Sequence, residues 1–427
     1  MTHAESLISL HFSQDQGVLG IGRLPVTSVV SQYGTPAFVY DCGILGQRFD
    51  LLRDIFPYEF SIYYSVKANP HRTILAYCLQ RGCGLEIASG GEYLRALEAG
   101  CQPCAIVFAG PGKSEAELEL VLAKGIGEIH IESLLELERV TAICRRLDVR
   151  ASLAVRINPT GEAQGGAMRM GGKPSPFGID EEVVVDVVDR IMGCPEVDFK
   201  GIHLFTGTQI LDHAVLLIQY RKAVDIARRV ANHIHRPLQT VDFGGGLGVP
   251  YFLHERELDC CFVREGLAEL IKEIRKDPLF SGTRFMIEPG RFLVGEAGVY
   301  VVRITDIKVS RGKKFLIVDG GMHHHLAASG NLGQTIKRNY PIALINRLGE
   351  PSSEKVDIVG PLCTPLDTLG REVELPEARV GDLVGIFQSG AYGLTASPTQ
   401  FLSHALPCEV FVDDGKILSD PASSVGK

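Results

Sequence analysis

Between residues 60 and 290, short apolar segments alternate with longer segments in which apolar residues recur at three- and four-residue spacing. Eight of the short segments are rich in Val, Ile and Phe, as strands are. These are FSIYYSVKA (60–68), GLEIAS (84–89), AIVFAG (105–110), EIHIES (128–133), SLAVRIN (152–158), GIHLF (201–205), TVDFGG (240–245) and RFMIEPG (284–290). The segments between them, such as SLLELERVTAICRRL, have the amphipathic spacing of helices. The alternation limits this part of the chain to α/β folds with a parallel sheet.

Eight strand–helix units over about 230 residues predict a (β/α)₈, or TIM, barrel. A doubly wound open sheet is the alternative. After residue 291 the pattern changes to short strands joined by turns, for example KFLIVDGG and GDLVGIFQS. We therefore predict a barrel domain over residues 36–290 and a C-terminal β domain over residues 291–427. Residues 1–35, in which we predict no helix, are expected to pack with the β domain.

The composition excludes some classes of function. The net charge of −8 argues against nucleic-acid binding, because phosphate contacts need a basic face. Eleven cysteines, an odd number, leave at least one thiol unpaired and favour a reducing, cytoplasmic location. The chain has neither a signal-peptide pattern nor a run of about 18 apolar residues, so we expect no membrane span. The CQPC segment at 101–104 has no second cysteine pair, and we predict a loop there rather than a zinc site.

Chemically useful residues follow four of the predicted strands, where a barrel places its active site. Lys67 ends the first strand, Phe205 and Thr208 follow the sixth, Gly244-Gly245-Gly246 follow the seventh, and Glu288-Pro289-Gly290-Arg291 follow the eighth. A lysine amine can form a Schiff base, consecutive glycines let backbone N–H groups approach a phosphate, and a carboxylate can meet a ring nitrogen. Each feature alone has an ordinary structural explanation, such as a solvated lysine or a tight turn. Together they indicate pyridoxal 5′-phosphate (PLP).

A set of motifs also occurs in a characteristic order: SVKAN, RINP, HLFTGTQ, DFGGGLG, EPGR, GPLC and SGAYG. In these motifs the chain resembles the fold-type III PLP-dependent decarboxylases, the group of diaminopimelate, ornithine and arginine decarboxylases. The resemblance covers nearly the whole chain. It implies an alanine-racemase-like TIM barrel followed by a β domain, a carboxy-lyase activity, and a homodimer whose active sites lie at the subunit interface.

The resemblance also implies roles for individual residues. Lys67 would hold PLP as a Schiff base, Glu288 would meet the pyridine nitrogen, and Phe205 would stack on the ring. Arg291 would help to place phosphate or carboxylate, and Cys363 would reach the partner subunit's site and support protonation of the product. Five positions match the family's phosphate site: Thr208, Gly245, Gly246, Gly290 and Tyr392. Substrate-binding positions are Arg291, Tyr340, Thr364 and Tyr392.

Two alternatives to a decarboxylase stay open at this point. Alanine racemases share the barrel but place an arginine at the pyridine nitrogen, whereas Glu288 would keep that nitrogen protonated and favour loss of CO₂. A non-catalytic PLP-binding protein usually resembles the barrel alone. For Cys363, ordinary packing is the alternative to a catalytic role.

The departures from the family pattern concern the ring face and the substrate. At the position of Phe205 the family usually has a histidine. His203 lies two residues earlier, on the same face of the strand but deeper in the barrel, so Phe205 can stack but cannot hold a proton. Diaminopimelate decarboxylases follow the cysteine with Glu-Ser, and ornithine decarboxylases follow it with Asp. Here Thr364 and Pro365 follow, which disfavours free diamine substrates. Asp367 lies three residues beyond the position of that aspartate, and whether it substitutes for the missing acid is left open. A decarboxylase of free diaminopimelate, ornithine or lysine is the alternative.

The stretches AMRMGGKPSPFGID (167–180), GMHHH and GPLCTP resemble a subgroup that acts beside acyl carrier proteins. This subgroup includes the butirosin-type decarboxylase of carrier-tethered glutamate and the exosortase-associated decarboxylases. The resemblance implies a tethered or conjugated amino acid as substrate, with siderophore citrate conjugates as a further alternative. An acidic carrier protein would need a basic docking surface, for which Lys337-Arg338 and Arg311, Lys313 and Lys314 are candidates. We predict no metal at His323-His324-His325, because consecutive residues on a strand alternate in direction.

Overall fold

The computed structural model describes residues 2–160, 168–169, 174–205 and 207–418, with the backbone alone for residues 168–169. The chain divides into two compact units. A β-rich unit comprises residues 1–50, 249–256 and 291–427, and a barrel unit comprises residues 51–248 and 257–290. Within the stretch 167–180, residues 167 and 170–173 lie outside the described residues.

The barrel unit contains eight parallel strands that close into a ring. The strands are Phe60–Ser65, Gly84–Ile87, Ile106–Phe108, Glu128–Ile131, Ala151–Asn158, Val197–Leu204, Thr240–Asp242 and Arg284–Ile287. The first strand pairs with the second on one side and with the eighth on the other, and the fourth pairs with the fifth. All eight predicted strands and the predicted TIM barrel are therefore confirmed, and the open sheet was wrong.

Helices connect the barrel strands, as the sequence spacing predicted. The helices are Cys42–Ile55, Arg72–Gln80, Gly90–Glu98, Glu115–Ala123, Leu134–Leu147, Val184–Met192, His213–His233 and Cys260–Ile274. Several begin at a capping residue that satisfies free backbone N–H groups. For example, the side chain of Ser114 accepts from the N–H of Glu117, and Asp259 caps the last of these helices.

Barrel strands are enclosed on both faces, so apolar side chains dominate them, including Ile62, Leu85 and Val155. Several ionisable residues are nevertheless buried on these strands or directly after them. They are Glu86, Glu128, His130, His203, Asp242 and Glu288, and each is at most 5% exposed. Burying ionisable groups is costly unless they pair with one another or with a ligand, so these residues mark the region to examine for function.

The β-rich unit is built around a nine-stranded sheet. Its strands are Ala37–Asp41, Gly298–Ser310, Lys313–Val318, Ile342–Leu344, Glu354–Val359, Thr368–Leu375, Leu383–Ile386, Cys408–Asp413 and Lys416–Leu418. The longest strand, Gly298–Ser310, pairs with three others: Ala37–Asp41, Lys313–Val318 and Leu383–Ile386. A short helix, Arg291–Val294, precedes it.

The expectation that residues 1–35 contain no helix was wrong. They form the helices His3–His11 and Val26–Tyr33 and a small antiparallel sheet of Ser13–Asp15, Val18–Ile21 and Leu24–Pro25. The first helix is only nine residues long and is fixed by a capping box between Thr2 and Glu5. Its apolar face is buried in a cluster that includes Val299 and Leu383.

The compact barrel unit begins at Leu51, whereas the predicted barrel domain begins at residue 36. The predicted domain limits at 35/36 and 290/291 stay predictions. Within the described part of the chain, no helix is both long enough and apolar enough to cross a membrane. All eleven cysteines are free thiols, with Cys101 buried and Cys104 exposed.

Candidate active site

Lys67 lies in a single 3₁₀ turn, Val66–Ala68, directly after the first barrel strand. Its amine donates to both carboxylate oxygens of Glu86, at 2.9 and 3.1 Å. The hydroxyl of Ser65 donates to the same carboxylate at 2.5 Å. The side chain of Lys67 remains 43% exposed, whereas that of Glu86 is 1% exposed. The amine is thus held by a buried acid but remains accessible to a ligand.

Sequence analysis did not single out Glu86. The only available signal was a glutamate in an otherwise apolar strand segment, GLEIAS, which the fold then buries beside Lys67. Arg156 of the RINP motif was quoted but given no role. Its guanidinium donates to the Glu132 carboxylate at 2.7 Å.

Glycines after the seventh and eighth strands bring the backbone close to its neighbours. A Cβ on Gly245 would lie 2.4 Å from the carbonyl oxygen of Glu288, and one on Gly290 would lie 2.9 Å from Cβ of Ala68. Gly244 and Gly246 have φ values of +67° and +101°, which larger residues rarely adopt. The glycine turn is therefore required by packing and by backbone conformation at the carboxyl end of the barrel.

Phe205 lies at the end of the sixth strand, next to this glycine turn. The amine of Lys67 lies 6.0 Å from the centre of its ring, and the guanidinium carbon of Arg156 lies 5.8 Å from it. A Cβ on Gly244 would lie 3.0 Å from the ring. Thr208 follows in the short strand Gly207–Thr208. The fold thus brings the predicted site residues Lys67, Phe205 and Gly245 together.

Four buried side chains meet beneath this region: His130, His203, Asp242 and Glu288. Each can offer one ligand atom such that all four atoms lie within 4.8 Å of one another. Nε2 of His203 lies 3.3 Å from Oε2 of Glu288, and Nδ1 of His130 lies 4.0 Å from Oε1 of Glu288. His203 therefore does lie deeper than Phe205, as predicted. This donor set could in principle bind a cation, and the expectation of no metal stays a prediction.

The charges in this cluster are coupled. Burial, and then the negative charge of Glu288, raise the pKa of Asp242 well above its ordinary value. Burial also opposes ionisation of Glu288, but His203, His130 and Lys67 together lower its pKa. Burial lowers the pKa of His203, which favours the neutral imidazole. Of the two carboxyl groups, Glu288 is therefore the one whose surroundings favour ionisation, whereas those of Asp242 favour its protonated form.

These features fit PLP. The Oε1 atom of Glu288 is buried and has no hydrogen-bond partner among the described residues, so it can accept from a protonated ring nitrogen. The glycine turn can present backbone N–H groups to a phosphate, and Lys67 provides an accessible amine. These three features belong to the barrel unit alone.

The β-rich unit carries the remaining predicted residues. Arg291 donates to the hydroxyl of Tyr251 at 3.1 Å, and its guanidinium carbon lies 4.6 Å from the centre of the Tyr392 ring. The rings of Tyr251 and Tyr340 lie 4.7 Å apart. Tyr392 has a φ of +53°, so the SGAYG turn holds it in a left-handed conformation. The structure thus groups Arg291, Tyr340 and Tyr392.

Cys363 and Thr364 lie in a separate loop of the same unit, with the thiol residue exposed. Asp367, which sequence analysis left open as a replacement for the missing acid, is 2% exposed. Its carboxylate accepts from the backbone N–H groups of Met322 at 2.6 Å and Leu362 at 2.9 Å. Asp367 therefore stabilises the loop and is not available to a substrate.

The histidine run lies in a turn rather than on a strand, so the reason given for excluding a metal there was wrong. All three side chains are buried and are engaged within the β-rich unit. His324 contacts the hydroxyl of Tyr300 at 3.1 Å, and Nε2 of His325 contacts the hydroxyl of Ser389 at 2.9 Å. The rings of His323 and His324 contact each other at a tilt of 44°, with 3.7 Å between ring centres.

Comparison with known proteins agrees with this geometry. The sequence profile described as "Pyridoxal-dependent decarboxylase, pyridoxal binding domain" matches residues 43–295. An L-glutamyl-[BtrI acyl-carrier protein] decarboxylase from Niallia circulans is 38% identical over 400 residues, covering 93% of both chains. A 2-[(L-alanin-3-ylcarbamoyl)methyl]-2-hydroxybutanedioate decarboxylase from Staphylococcus aureus is 31% identical, covering 89% of this chain and 94% of the relative. The crystal structure of diaminopimelate decarboxylase from Helicobacter pylori, complexed with L-lysine, has a TM-score of 0.80 at 28% identity, covering 92% and 95% of the two chains.

The fold and the barrel site define a PLP enzyme of the TIM-barrel class. The chain belongs to the pyridoxal-dependent decarboxylases, as the sequence motifs predicted. It is a carboxy-lyase that uses PLP to remove a carboxylate from an amino acid, and this assignment replaces the racemase and the non-catalytic alternatives.

Proposed function

We propose that the protein decarboxylates the α-carbon of a glutamyl group attached to an acyl carrier protein, as a homodimer with shared active sites. Two of the relatives act on conjugated rather than free amino acids, by their names: one on a carrier-bound glutamyl group and the other on a citrate-derived amide. The first of these is 38% identical over nearly the whole chain.

The proposal depends mainly on one observation, which is that the loop around Cys363 offers no available acidic side chain between Thr364 and Asp367. A free diamine needs a negative group at its distal ammonium, because a buried, unpaired ammonium is costly. Thr364 and Pro365 bring no charge to this loop, and the Asp367 carboxylate is occupied by two backbone N–H groups. A substrate whose far end is a conjugate, rather than an ammonium, makes no such demand.

The proposed roles follow the positions described above. Lys67 would hold PLP through its amine, which Glu86 orients. Glu288 would meet the pyridine nitrogen and favour its protonated form, and Phe205 would pack against the ring face. The residues that would hold phosphate are Thr208, Gly245, Gly246, Gly290 and Tyr392. When bound, PLP supplies the electron sink that makes loss of CO₂ possible.

The remaining roles fall to the β-rich unit. Arg291, Tyr340, Thr364 and Tyr392 would bind the substrate, with Arg291 placing a carboxylate or phosphate. Cys363 of the partner subunit would support delivery of a proton to Cα after CO₂ has left. An exposed thiol in the isolated chain is the expected state of a residue that completes another subunit's site.

The proposal is tested by CO₂ release from a matched panel of substrates with the purified, PLP-loaded protein. The panel comprises free diaminopimelate, ornithine, lysine and glutamate, together with L-glutamyl-[BtrI acyl-carrier protein]. Release confined to the carrier-bound glutamyl group is the expected result. Efficient release from diaminopimelate or another free diamine would overturn the proposal and place the protein with the diaminopimelate decarboxylases.

A decarboxylase of siderophore citrate conjugates is the second candidate, favoured by the 31% identity to the Staphylococcus aureus relative. It is distinguished by adding the substrate named for that relative to the same panel. Turnover of that small conjugate, without turnover of the carrier-bound glutamyl group, would select this candidate.

A further inference from the structure

Of the basic residues named as docking candidates, the structure separates two kinds. Lys313 pairs with Asp357 at 2.7 Å and Lys314 with Glu354 at 2.5 Å, so an acidic neighbour already offsets each charge. Lys337 and Arg338 have no acidic partner among the residues that the structure describes. Lys337 donates to the side-chain oxygen of Asn331 at 2.5 Å, and Arg338 contacts Nε2 of His254 at 2.6 Å.

These two cations are held in place rather than freely mobile. The backbone N–H of Arg338 donates to the Gln334 side chain at 2.8 Å, and its guanidinium carbon lies 5.4 Å from the centre of the Phe252 ring. The stem of Lys337 packs against Gly330, which has a φ of +73°. Less conformational entropy is therefore lost when an anion binds to Lys337 and Arg338.

Exposed apolar residues lie next to the two cations in the chain or next to the residues that the cations contact. Ile336 and Leu253 are each 71% exposed, and Leu366 and Leu332 are 50% and 40% exposed. Leu253 precedes His254, which contacts Arg338. Leu332 follows Asn331, which contacts Lys337. The side chain of Asn331 also donates to the backbone oxygen of Leu366 at 3.1 Å. We call the surface formed by Leu253, Leu332, Ile336, Lys337, Arg338 and Leu366 the Lys337 surface. All six residues belong to the β-rich unit.

The Lys337 surface also lies next to predicted substrate positions. Leu366 belongs to the loop that carries Cys363 and Thr364, and Tyr340 is two residues beyond Arg338. A partner bound here would therefore reach the enzyme beside residues expected to touch the substrate. On a chain with a net charge of −8, an uncompensated basic and apolar surface is selective for an acidic partner with apolar contacts of its own.

We propose that the Lys337 surface is the docking site for the acyl carrier protein that presents the substrate. This inference rests on the proposed function and adds where the carrier binds. Carrier proteins are acidic, so Lys337 and Arg338 supply the charge complementarity, and Ile336 and Leu253 supply apolar contact area. The other occupants to be distinguished are the phosphate of the carrier's tether and a second copy of this chain.

The test compares Lys337→Glu/Arg338→Glu with a matched control, Lys308→Glu/Lys416→Glu, which makes the same change in charge at two other exposed lysines of this unit. Two substrates are used: L-glutamyl-[BtrI acyl-carrier protein] and the glutamyl thioester of phosphopantetheine without a protein. For the carrier-bound substrate we expect KM to rise at least roughly tenfold in the first variant, and the control to stay within about twofold of wild type. Neither variant should change turnover of the carrier-free thioester. Raising the salt concentration should raise the KM for the carrier-bound substrate more in wild type than in Lys337→Glu/Arg338→Glu.

Each other outcome has a distinct meaning. If Lys337→Glu/Arg338→Glu loses equal activity on the carrier-free thioester, the two cations bind the phosphate of the tether. If light scattering shows a change in oligomeric state, the surface joins two copies of this chain. Either result would overturn the docking site. If wild type acts on the carrier-bound substrate and Lys337→Glu/Arg338→Glu does so equally well, the docking site is overturned but the proposed function is not. Failure of wild type to use the carrier-bound substrate, with activity on a free amino acid, would overturn the proposed function as well.

Discussion

Nε2 of His203 lies 3.3 Å from Oε2 of Glu288 inside the barrel, and both side chains are almost completely buried. His130 approaches the other oxygen of the same carboxylate, at 4.0 Å. The two imidazoles therefore restrain the one acid that is proposed to meet the pyridine nitrogen. Because Phe205 cannot hold a proton, the polar support of the ring comes from this deeper layer.

Replacing His203 should weaken that support. His203→Leu removes a polar neighbour that lowers the pKa of Glu288, so the pKa should rise and PLP should bind roughly tenfold more weakly. His203→Gln keeps a polar side chain and should lie closer to wild type. The measurements are the dissociation constant of PLP and the pH dependence of the bound cofactor's absorbance. Equal behaviour of the two variants, with no spectral shift, would assign His203 a packing role only.

The cluster of His130, His203, Asp242 and Glu288 should not hold a structural metal ion. Its donor set suits a divalent cation, but Glu288 is proposed to meet the pyridine nitrogen, and burial and the charge of Glu288 raise the pKa of Asp242, which opposes metal binding. The protein should therefore keep its activity and melting temperature after treatment with EDTA and reloading with PLP. Elemental analysis should find far less than one metal ion per subunit. Stoichiometric zinc, lost together with activity on chelation, would contradict this.

Glu86→Gln should slow the reaction of Lys67 with PLP. The carboxylate holds the lysine amine at 2.9 and 3.1 Å, and an amide of the same size keeps one acceptor oxygen but loses the charge. We expect roughly tenfold slower appearance of the absorbance of lysine-bound cofactor when PLP is added to the apoprotein. Ser65→Ala, which removes the other hydrogen bond to Glu86 but keeps the charge, is the matched control. Identical loading rates for Glu86→Gln and wild type would remove Glu86 from this role.

The sequence was sufficient to predict the barrel, because each of its eight strands is a distinct apolar run between helical segments. Lys67 and the glycine turn were also predictable as members of the site region, since they stand at strand ends where barrels place their sites. Glu86, His130 and Asp242 were missed for a physical reason. A polar residue on a strand could face solvent or the interior, and only the closed ring shows that these three are buried together.

Predictions failed where a short local interaction decided the structure. The helix His3–His11 is fixed by one capping box, whose signal is only Thr2 and Glu5. The histidine run follows a strand but forms a turn, so strand alternation did not apply to it. The role of Asp367, which the sequence left open, is likewise decided by its two backbone partners. In each case the decisive partner is a backbone group, and side-chain sequence alone does not reveal it.

The proposed sharing of the active site predicts complementation between two inactive variants. Lys67→Ala should lose the absorbance of lysine-bound cofactor, whereas Cys363→Ala should keep it but turn over slowly or form side products. If Cys363 acts in the partner's site, subunits mixed in equal amounts regain roughly a quarter of the wild-type sites, because half of the dimers are mixed and each has one intact site. Activity of unmixed samples is the control. No recovery, with mixed dimers confirmed by mass spectrometry, would place Cys363 in its own subunit's site or outside the mechanism.

The buried His325 predicts how stability depends on pH. Burial lowers its pKa to about 3, whereas an unfolded chain has the ordinary value of 6.5. Between these values the unfolded state binds the extra proton, so stability is fully present above pH 6.5 and falls as the pH drops toward 3. The slope for one such group approaches about 1.4 kcal/mol per pH unit. The melting temperature of wild type should therefore fall steeply between pH 6 and pH 4.

The variant that isolates this effect is His325→Gln, which can still bond to the Ser389 hydroxyl but cannot take up a proton in this range. Its melting temperature should depend less on pH between 6 and 4 than that of wild type, even if it is lower at pH 7. Substituting the exposed His235 in the same way should leave the wild-type slope unchanged. If the melting temperatures of all three proteins depend equally on pH, the acid sensitivity arises elsewhere. The next residues to replace are the neighbouring His323 and His324, because burial lowers the pKa of each to about 4.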